Sequence, residues 1–513
     1  MTLIDPTPAA SDTGQVEPAP GASELVTRDP RDGSPIESYP IATAAEVDAA
    51  VASARDAARW WRDQGFAGRR KHLQAWKTAI ADDARGLAAV ISRETGKTPD
   101  DALLEVVLTL THLDWASKHA GTVLKRRKVA SGLASYNQSA SVGYEPYGVV
   151  GVIGPWNYPF YTPMGSIGYA IAAGNAIVFK PSELTPATAR WIEDAWTRAV
   201  PGHPVFRVVI GDGATGEALA RAAVDKLAFT GSARTARRVM AVAAERLTPI
   251  VVEAGGKDAM IVARDADLEQ AVSFAVFGAM GNAGQTCAGV ERIYVEEPVA
   301  DEFTRRLVEA AGRLAPGPDA TSSYGPMTLG RQSEVVAGHI ADALEHGATA
   351  ALGGPESVEG GYVRPVVLCD VPEDSAAMRE ETFGPVVAVN RVRDLDDAVA
   401  RTNDTTYGLT TSIFTKDIAR ARVLADRLRT GAVTVNSVLG FAGIPSLPFG
   451  GRGDSGFGRI HGADGLREFS VVKSLAVQTS KPMLDLLRMD RSARDLRLTE
   501  RMLHVLHGSR RKN

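Results

Sequence analysis

Only two cysteines occur among the 513 residues, Cys287 and Cys369. The first stands in GNAGQTCAGVERIYV, Gly281 to Val295, a stretch rich in small side chains. A structural cysteine ordinarily packs among Leu, Ile and Val as a small hydrophobe. Here Gly281, Ala283, Gly284, Ala288 and Gly289 keep the surroundings open, as a thiol that must be approached by a reactant requires. Cys369, in VVLCDVP, closes an apolar run and reads as structural.

Other stretches carry groups that chemistry can use. VVEAGGK (251–257) sends an apolar strand into Glu253. A carboxylate at that point must be paired, protonated or used, because burying it unpaired is costly. It reads as an ion pair, with Lys257 the near candidate, or as a base if it meets Cys287. GPWNYPFYTP (154–163) holds Asn157 in a turn stiffened by Pro155 and Pro159. That amide can donate to a developing oxyanion or serve the turn itself. FKPSELTP (179–186) puts Lys180 and Glu183 at a strand end, where doubly wound sheets bind ligands. They read as ribose contacts, or as a surface pair beside a helix started by Thr185-Pro186. IGDGATG (210–216) matches G-x-G-x-x-G through Gly211, Gly213 and Gly216, between strand FRVVI and a helix. No acidic residue ends a strand about 20 positions on, so it supports a dinucleotide lobe without fixing a phosphate.

The elements that must position these groups are visible in the periodicity. Thr43-Ala-Ala-Glu46 is a capping box before an apolar helical face of Val47, Ala50, Val51, Ala54, Ala58 and Trp61. A second helix is expected through Leu73, Trp76, Ile80, Leu87 and Ile91, stopped by Gly96, and a third from about Asp101 to Gly121. Residues 123–144 read as an exposed two-stranded arm, with KRRK (125–128) as its solvated edge. From Tyr147, strands GVVGVI, NAIVFK, FRVVI, KLAFTG and PIVVEAGG alternate with helices; AMIVA, RIYV, VVAVN, TSIFT and GAVTVN form a second set. Such alternation predicts an α/β protein of two doubly wound lobes.

The bulk numbers narrow the class. An apolar fraction of 44% and a charged fraction of 23% are ordinary for a globular chain. A net charge of −4 gives no general attraction to nucleic acid or acidic membranes. Two cysteines make no disulfide framework, which suits a reducing, cytoplasmic setting. No apolar run approaches the ~18–20 residues of a membrane span. Residues 1–22 read as a mobile arm rather than a secretory signal. Residues 481–513 read as a basic, helical tail with Leu484, Leu487, Leu496 and Leu503 among Arg and Lys.

PWNYP, KPSE, FTGS, VEAGGK, GQTCAG, EETFGPVV and PFGGRGDSGFGR stand in one order and spacing. In this the chain resembles the NAD(P)-dependent aldehyde dehydrogenase superfamily from about Asp29 to Val477. The resemblance implies a cofactor lobe (23–122 and 146–253), a catalytic lobe (254–450), an oligomerisation arm (123–145 and 462–480) and a homodimer or homotetramer. It implies Cys287 as nucleophile, Glu253 as general base and Asn157 as oxyanion donor, with no metal. The cofactor is expected to be NAD, with NADP weaker. Its contacts would be Ile153, Pro155, Trp156, Lys180, Ser182, Glu183, Gly211, Phe229, Gly231, Ser232, Ala254, Glu381 and Phe383. In this superfamily the glycines of GDGATG only border the cofactor. The chain departs from the pattern at Ala254, where Leu is usual, and at Ala236, where Gly is usual. These changes would loosen the site floor and alter the helix approach near the phosphates.

The implied chemistry agrees with the residues. An aldehyde carbonyl does not lose hydride readily until a thiolate has added to it, and the resulting alkoxide needs donors. The thioester left afterwards needs water activated by a base. Resemblance lines the aldehyde tunnel with Tyr158, Tyr161, Thr162, Gly165, Thr286, Ala288 and residues near Phe441 to Phe449. None is cationic, which favours an apolar aliphatic or aromatic aldehyde over a carboxylate-bearing one such as succinate semialdehyde. Alternative readings are a succinate-semialdehyde-type dehydrogenase, an acylating enzyme using coenzyme A, a cysteine-dependent esterase and a non-catalytic relative. Glu253 counts against the acylating enzyme, and the retained Cys, Glu and Asn count against the non-catalytic one.

Overall fold

The structure, a computed structural model, describes residues 23–132, 135–482 and 488–508. The N-terminal arm (1–22) and Leu484 and Leu487 of the tail lie outside the described residues. Two compact units form. The larger runs to Val123 and from Pro146 to Ser470; the smaller comprises Leu124–Glu145 and the segment from Val471 onward.

The larger unit holds two sheets. One has six strands, in the order Gly456–Phe457, Ile250–Glu253, Lys226–Thr230, Val149–Ile153, Ala176–Lys180 and Phe206–Val208. All are parallel except Gly456–Phe457, which runs antiparallel beside Glu253. The chain moves outward from Val149–Ile153 to one side, then returns to build the other. That reversal opens a crevice at the strand C-termini. Register brings Lys180, Ile153 and Phe229 side by side there, with Thr230 beside Glu253.

The second sheet has seven strands, in the order Thr349–Leu352, Val366–Cys369, Val386–Val392, Arg292–Glu296, Ala259–Val262, Thr410–Phe414 and Ala432–Val435. It is parallel apart from the first. Its central strands, Val386–Val392, Arg292–Glu296 and Ala259–Val262, are almost wholly buried, as helices on both sides demand. Cys369 is half-buried at a strand end, where burial pushes its thiol up to about 11.

The first helix, Ala44–Asp63, carries the capping box and buries Val47, Val51, Ala54, Ala58 and Trp61. The second expected helix is in fact two, Gly65–Asp82 and Ala84–Thr95, broken at Asp83 (φ −126°, ψ 39°). Asp83 makes no side-chain cap on the helix that follows, so the break lies in its backbone, which leaves the helical region. The side chain of Asp83 fills the space that a Cβ on Gly86 would need. Gly96 ends the next helix in the left-handed conformation (φ 77°), and the third expected helix spans Pro99–Leu124.

Between these last two helices lies Lys97, fully buried with Glu105. Its Nζ donates to Glu105 Oε2 at 2.8 Å and to the Asn157 carbonyl at 2.8 Å, and sits 4.2 Å from the Tyr158 ring centroid. The other Glu105 oxygen accepts the N–H groups of Phe160 (2.8 Å) and Tyr161 (2.9 Å). One ion pair therefore fixes the PWNYPFY turn from below.

The smaller unit is a three-stranded sheet, Ser470–Gln478, Gln138–Pro146 and Arg127–Val129, followed by the helix Ala493–His507. The third strand comes from far along the chain, so local sequence around 123–144 shows only two. Residues 125–128 are exposed. Gly462–Glu468, expected with the arm, forms a helix in the larger unit with Gly465 and Leu466 buried.

Replacing Lys97 with Met leaves the Glu105 carboxylate buried without its cation. Breaking such a pair costs about 3–5 kcal/mol. Urea unfolding should show a loss of that size, while a surface control, Lys118→Met, should move the midpoint little.

Candidate active site

Cys287 is placed by a strained turn. The helix Leu268–Met280 ends at Gly281, and Asn282, Ala283 and Gly284 follow with φ of 53°, 57° and 71°. Left-handed backbone is tolerated by Asn and Gly but costs an Ala side chain about 1–3 kcal/mol. Side-chain amides hold it in place. Asn282 Nδ2 donates to the carbonyls of Asn157 and Gln285, both at 3.2 Å. Gln285 donates back to the Asn282 carbonyl (3.0 Å) and accepts from the Thr328 N–H (2.9 Å).

The small residues around the thiol divide into two kinds. Gly281 and Ala288 line a cavity, as an open approach requires. Gly284 and Gly289 serve backbone packing instead. A Cβ on Gly284 would lie 2.1 Å from the Gly384 carbonyl, and one on Gly289 would lie 2.9 Å from the Thr286 carbonyl. The EETFGPVV segment is thereby pressed against the thiol turn.

Glu253 accepts the Gly255 N–H at 3.2 Å and lines the same cavities as Cys287. Burial pushes its carboxyl up to about 7, against the pull of the Gly255 N–H. Burial also raises the Cys287 thiol well above its ordinary range, with Glu253, Glu381 and Asp258 adding to the rise. The expected ion pair of Glu253 with Lys257 does not form. Lys257 bonds Glu291 and the Thr382 hydroxyl (3.1 Å). Glu291 in turn accepts the N–H groups of Thr382 and Phe383. Asn157 Nδ2 donates to the Gln285 carbonyl at 2.9 Å. An amide carries two N–H donors, and Gln285 engages one of them.

Two cavities meet at these residues. One lies at the crevice of the six-stranded sheet and is lined by Pro155, Trp156, Asn157, Gly231, Ser232, Glu381 and Phe383, with Thr230 and Gly255 not anticipated from sequence. It lies at the strand C-termini, where doubly wound sheets bind nucleotides. Gly231 lies where a Cβ would strike the Phe229 ring at 2.8 Å, and Ser232 caps the helix Ala233–Glu245, whose N–H groups suit phosphate. Gly255 (φ 74°) lies where a Cβ would meet the Glu381 carboxylate at 2.4 Å. Further along the same strand ends, Lys180 and Glu183 are buried and paired at 3.3 Å, and the Ser182 hydroxyl accepts from the Leu184 N–H. Ile153 and Phe229 pack with Ala236, Val252 and Ala254 in one apolar cluster. The two departures therefore share a site: the methyl gained at Ala236 partly offsets the volume lost at Ala254. Gly211 is not among the residues lining the cavity. Its missing Cβ leaves room for Thr215, whose hydroxyl donates to the Ala42 carbonyl at 2.9 Å.

The other cavity, about 330 Å³, is mostly apolar and contains all of Tyr158, Tyr161, Thr162, Thr286, Ala288 and Phe449. Tyr158 and Thr286 share a hydroxyl bond of 2.9 Å, and Phe441 stacks on Phe449 at 4.7 Å. Gly165 is not a lining residue; His461 Nε2 occupies the place of its missing Cβ. Sequence reasoning missed Phe277, Val438, Ile460, His461 and a stripe of the third helix, Asp101, Leu104, Glu105 and Leu108. That i, i+3, i+4, i+7 spacing was the signal available. Thr162, Glu253 and Cys287 line both cavities.

The sequence matches the Aldehyde dehydrogenase family over residues 18–475. It is 40% identical over 443 residues to a 4,4'-diapolycopene aldehyde oxidase of Methylomonas sp, covering 86% of this chain and 83% of that protein. It is 36% identical over 450 residues to a putative succinate-semialdehyde dehydrogenase [NADP(+)] 2 of Mycobacterium ulcerans, covering 86% of each. The fold superposes on a lactaldehyde dehydrogenase from Escherichia coli with a TM-score of 0.85 at 31% identity, covering 89% of this chain and 96% of that one. With the family matched over nearly its whole length, the chain belongs to the aldehyde dehydrogenase family, enzymes that oxidise aldehydes with NAD(P).

Proposed function

We propose that the protein oxidises an apolar aliphatic or aromatic aldehyde to its carboxylic acid through a covalent adduct on Cys287. The observation that carries this reading is the sharing of Cys287 and Glu253 by an apolar cavity and by one at the strand C-termini of the six-stranded sheet. Glu253, its carboxyl raised to about 7 and lining both cavities beside the thiol, accepts its proton. Sulfur then bonds the carbonyl carbon, and the carbonyl oxygen becomes an alkoxide. The free N–H of Asn157 and the Cys287 backbone N–H donate to it, each worth about 3–4 kcal/mol. Nicotinamide, when bound, supplies the hydride acceptor. With hydride lost, sulfur carries a thioester. Glu253, having passed the thiol's proton to solvent, takes a proton from water, and the hydroxide adds to the thioester carbon. The C–S bond breaks to release the carboxylic acid and the Cys287 thiolate, which takes back a proton from Glu253.

Among the described residues no Lys or Arg lines the apolar cavity, and three carboxylates, Asp101, Glu105 and Glu253, do. A second carboxylate on the substrate would find no counter-charge there, which argues against succinate semialdehyde despite the names of some relatives. The esterase reading needs only the thiol and base; turnover of esters in the absence of cofactor, faster than aldehyde oxidation, would support it. The exposed Val471, Val472, Leu475 and Val477 of the small unit favour a homo-oligomer, and two free thiols suit the cytoplasm.

Cys287→Ala should reduce NADH formation to background while cofactor affinity by fluorescence titration stays within about twofold, since the thiol serves only covalent chemistry. Near-normal turnover would refute the nucleophile.

For Glu253→Gln, rapid mixing should show a burst of NADH close to the enzyme concentration, then slow turnover. In wild type the deacylation rate should rise with pH through about 7, because Glu253 acts as a base only when ionised and its carboxyl is raised to that value. A rate independent of pH between 5 and 9, with no burst in the variant, would remove Glu253 from this step.

Glu183, held by Lys180, would accept the ribose hydroxyls of NAD and repel a 2′-phosphate. A repulsion of about 2–3 kcal/mol favours NAD roughly 30- to 150-fold. Glu183→Ser should raise kcat/KM for NADP and lower it for NAD. A wild type preferring NADP, as the names of some relatives carry, would exclude this role.

A further inference from the structure

The C-terminal helix Ala493–His507 has no part in the site just described, and none of its residues is buried. Its start is encoded: Ser492 and Asp495 form a reciprocal capping box at 2.9 and 3.2 Å. Wound at 3.6 residues per turn, it separates into two halves. Leu496, Leu498, Met502, Leu503, Val505 and Leu506 fall on one. Arg494, Arg497, Arg501, His504 and His507 fall on the other, with Glu500 among them. Leu498, Leu503 and Val505 are 42%, 56% and 83% exposed. Two polar residues on the apolar half are tied down locally. The Asp495 carboxylate accepts from the Ser492 hydroxyl and N–H, and the Thr499 hydroxyl donates to the Asp495 carbonyl.

Isolated helices of this length are marginal in water, and their stability normally comes from covering an apolar face. The charge around the face says what the cover is. From Lys481 to Asn513 there are nine Lys and Arg against four Asp and Glu, on a chain whose net charge is −4. The cations are not confined to the centre of the polar half. Arg494 and Arg501 lie along its boundary with the apolar half, and Arg510, Arg511 and Lys512 follow the helix in sequence. A groove on a protein would ask for the apolar residues alone. Cations along the boundary suit a layer of phosphates over hydrocarbon, where arginine stems lie on the apolar surface and guanidinium groups reach the headgroups.

We propose that this helix docks the protein on an anionic lipid surface, lying in its plane with Leu496, Leu498, Leu503 and Leu506 turned inward. The attachment adds a site separate from catalysis and holds whichever aldehyde is oxidised.

The test is flotation of the full chain with phosphatidylcholine vesicles containing about 30 mol % phosphatidylglycerol, against pure phosphatidylcholine. The wild type should float with the anionic vesicles, and the bound fraction should fall at least tenfold in pure phosphatidylcholine or at about 0.5 M salt. Arg494→Glu/Arg497→Glu/Arg501→Glu should abolish flotation. Leu503→Ser/Leu506→Ser should weaken it at least tenfold with the charge unchanged. Neither variant should alter kcat on a soluble aldehyde. Absence of flotation by the wild type overturns the proposal, as does flotation of both variants at the wild-type level. So does loss of helix-dependent oligomer mass in sedimentation without vesicle binding, which would assign the face to a second copy of this chain.

Discussion

A buried lysine and a buried glutamate hold this active site in shape. Lys97 and Glu105 spend their bonding capacity on the backbone of one turn, the carbonyl of Asn157 and the N–H groups of Phe160 and Tyr161. Charges so placed are costly unless every partner is present. The turn is therefore over-determined, and with it Asn157. The thiol turn is fastened to the same point, since Asn282 donates to the Asn157 carbonyl and Asn157 to that of Gln285. Two lobes that share no strand between Ile250–Glu253 and Ala259–Val262 are thus locked together through amides.

The same interior carries an electrostatic tension. Glu253, Glu381, Asp258 and Glu291 surround the thiol or its neighbours, and Lys257 is the buried lysine among them. Burial and mutual repulsion hold Glu381 well above the usual carboxylate range and Asp258 at about 8. The result is a thiol and a neighbouring carboxyl both held toward their protonated forms. A thiol stored in this form is protected from oxidation, because the reactive species is the thiolate.

Much of this was legible in the residues, for reasons that differ by position. Glu253 and Lys180 could be found because a charge at the end of an apolar strand is anomalous in any sequence. Asn157 was findable because two prolines bracket it. The partner of Lys257 was not, since Glu291 is distant in sequence and only the parallel pairing of Ala259–Val262 with Arg292–Glu296 brings it close. The Lys97–Glu105 clamp escaped for the same reason: its spacing is helical, but its meaning lies in the turn it binds. Asp83 broke a helix that apolar periodicity ran straight through, because the pattern resumes in phase after the break. The loop 438–443 reached the apolar cavity with no periodic signal at all.

The two cavities have only Thr162, Glu253 and Cys287 in common. Apart from those three, each has its own walls, so most of one cavity's contacts do not involve the other. Small molecules directed at this enzyme would accordingly fall into two families able to occupy it together, and linking one of each across the thiol would combine their affinities within a single compound. Such a linker would run beside Cys287, which lines both cavities, and a mild electrophile placed there would make the occupancy permanent.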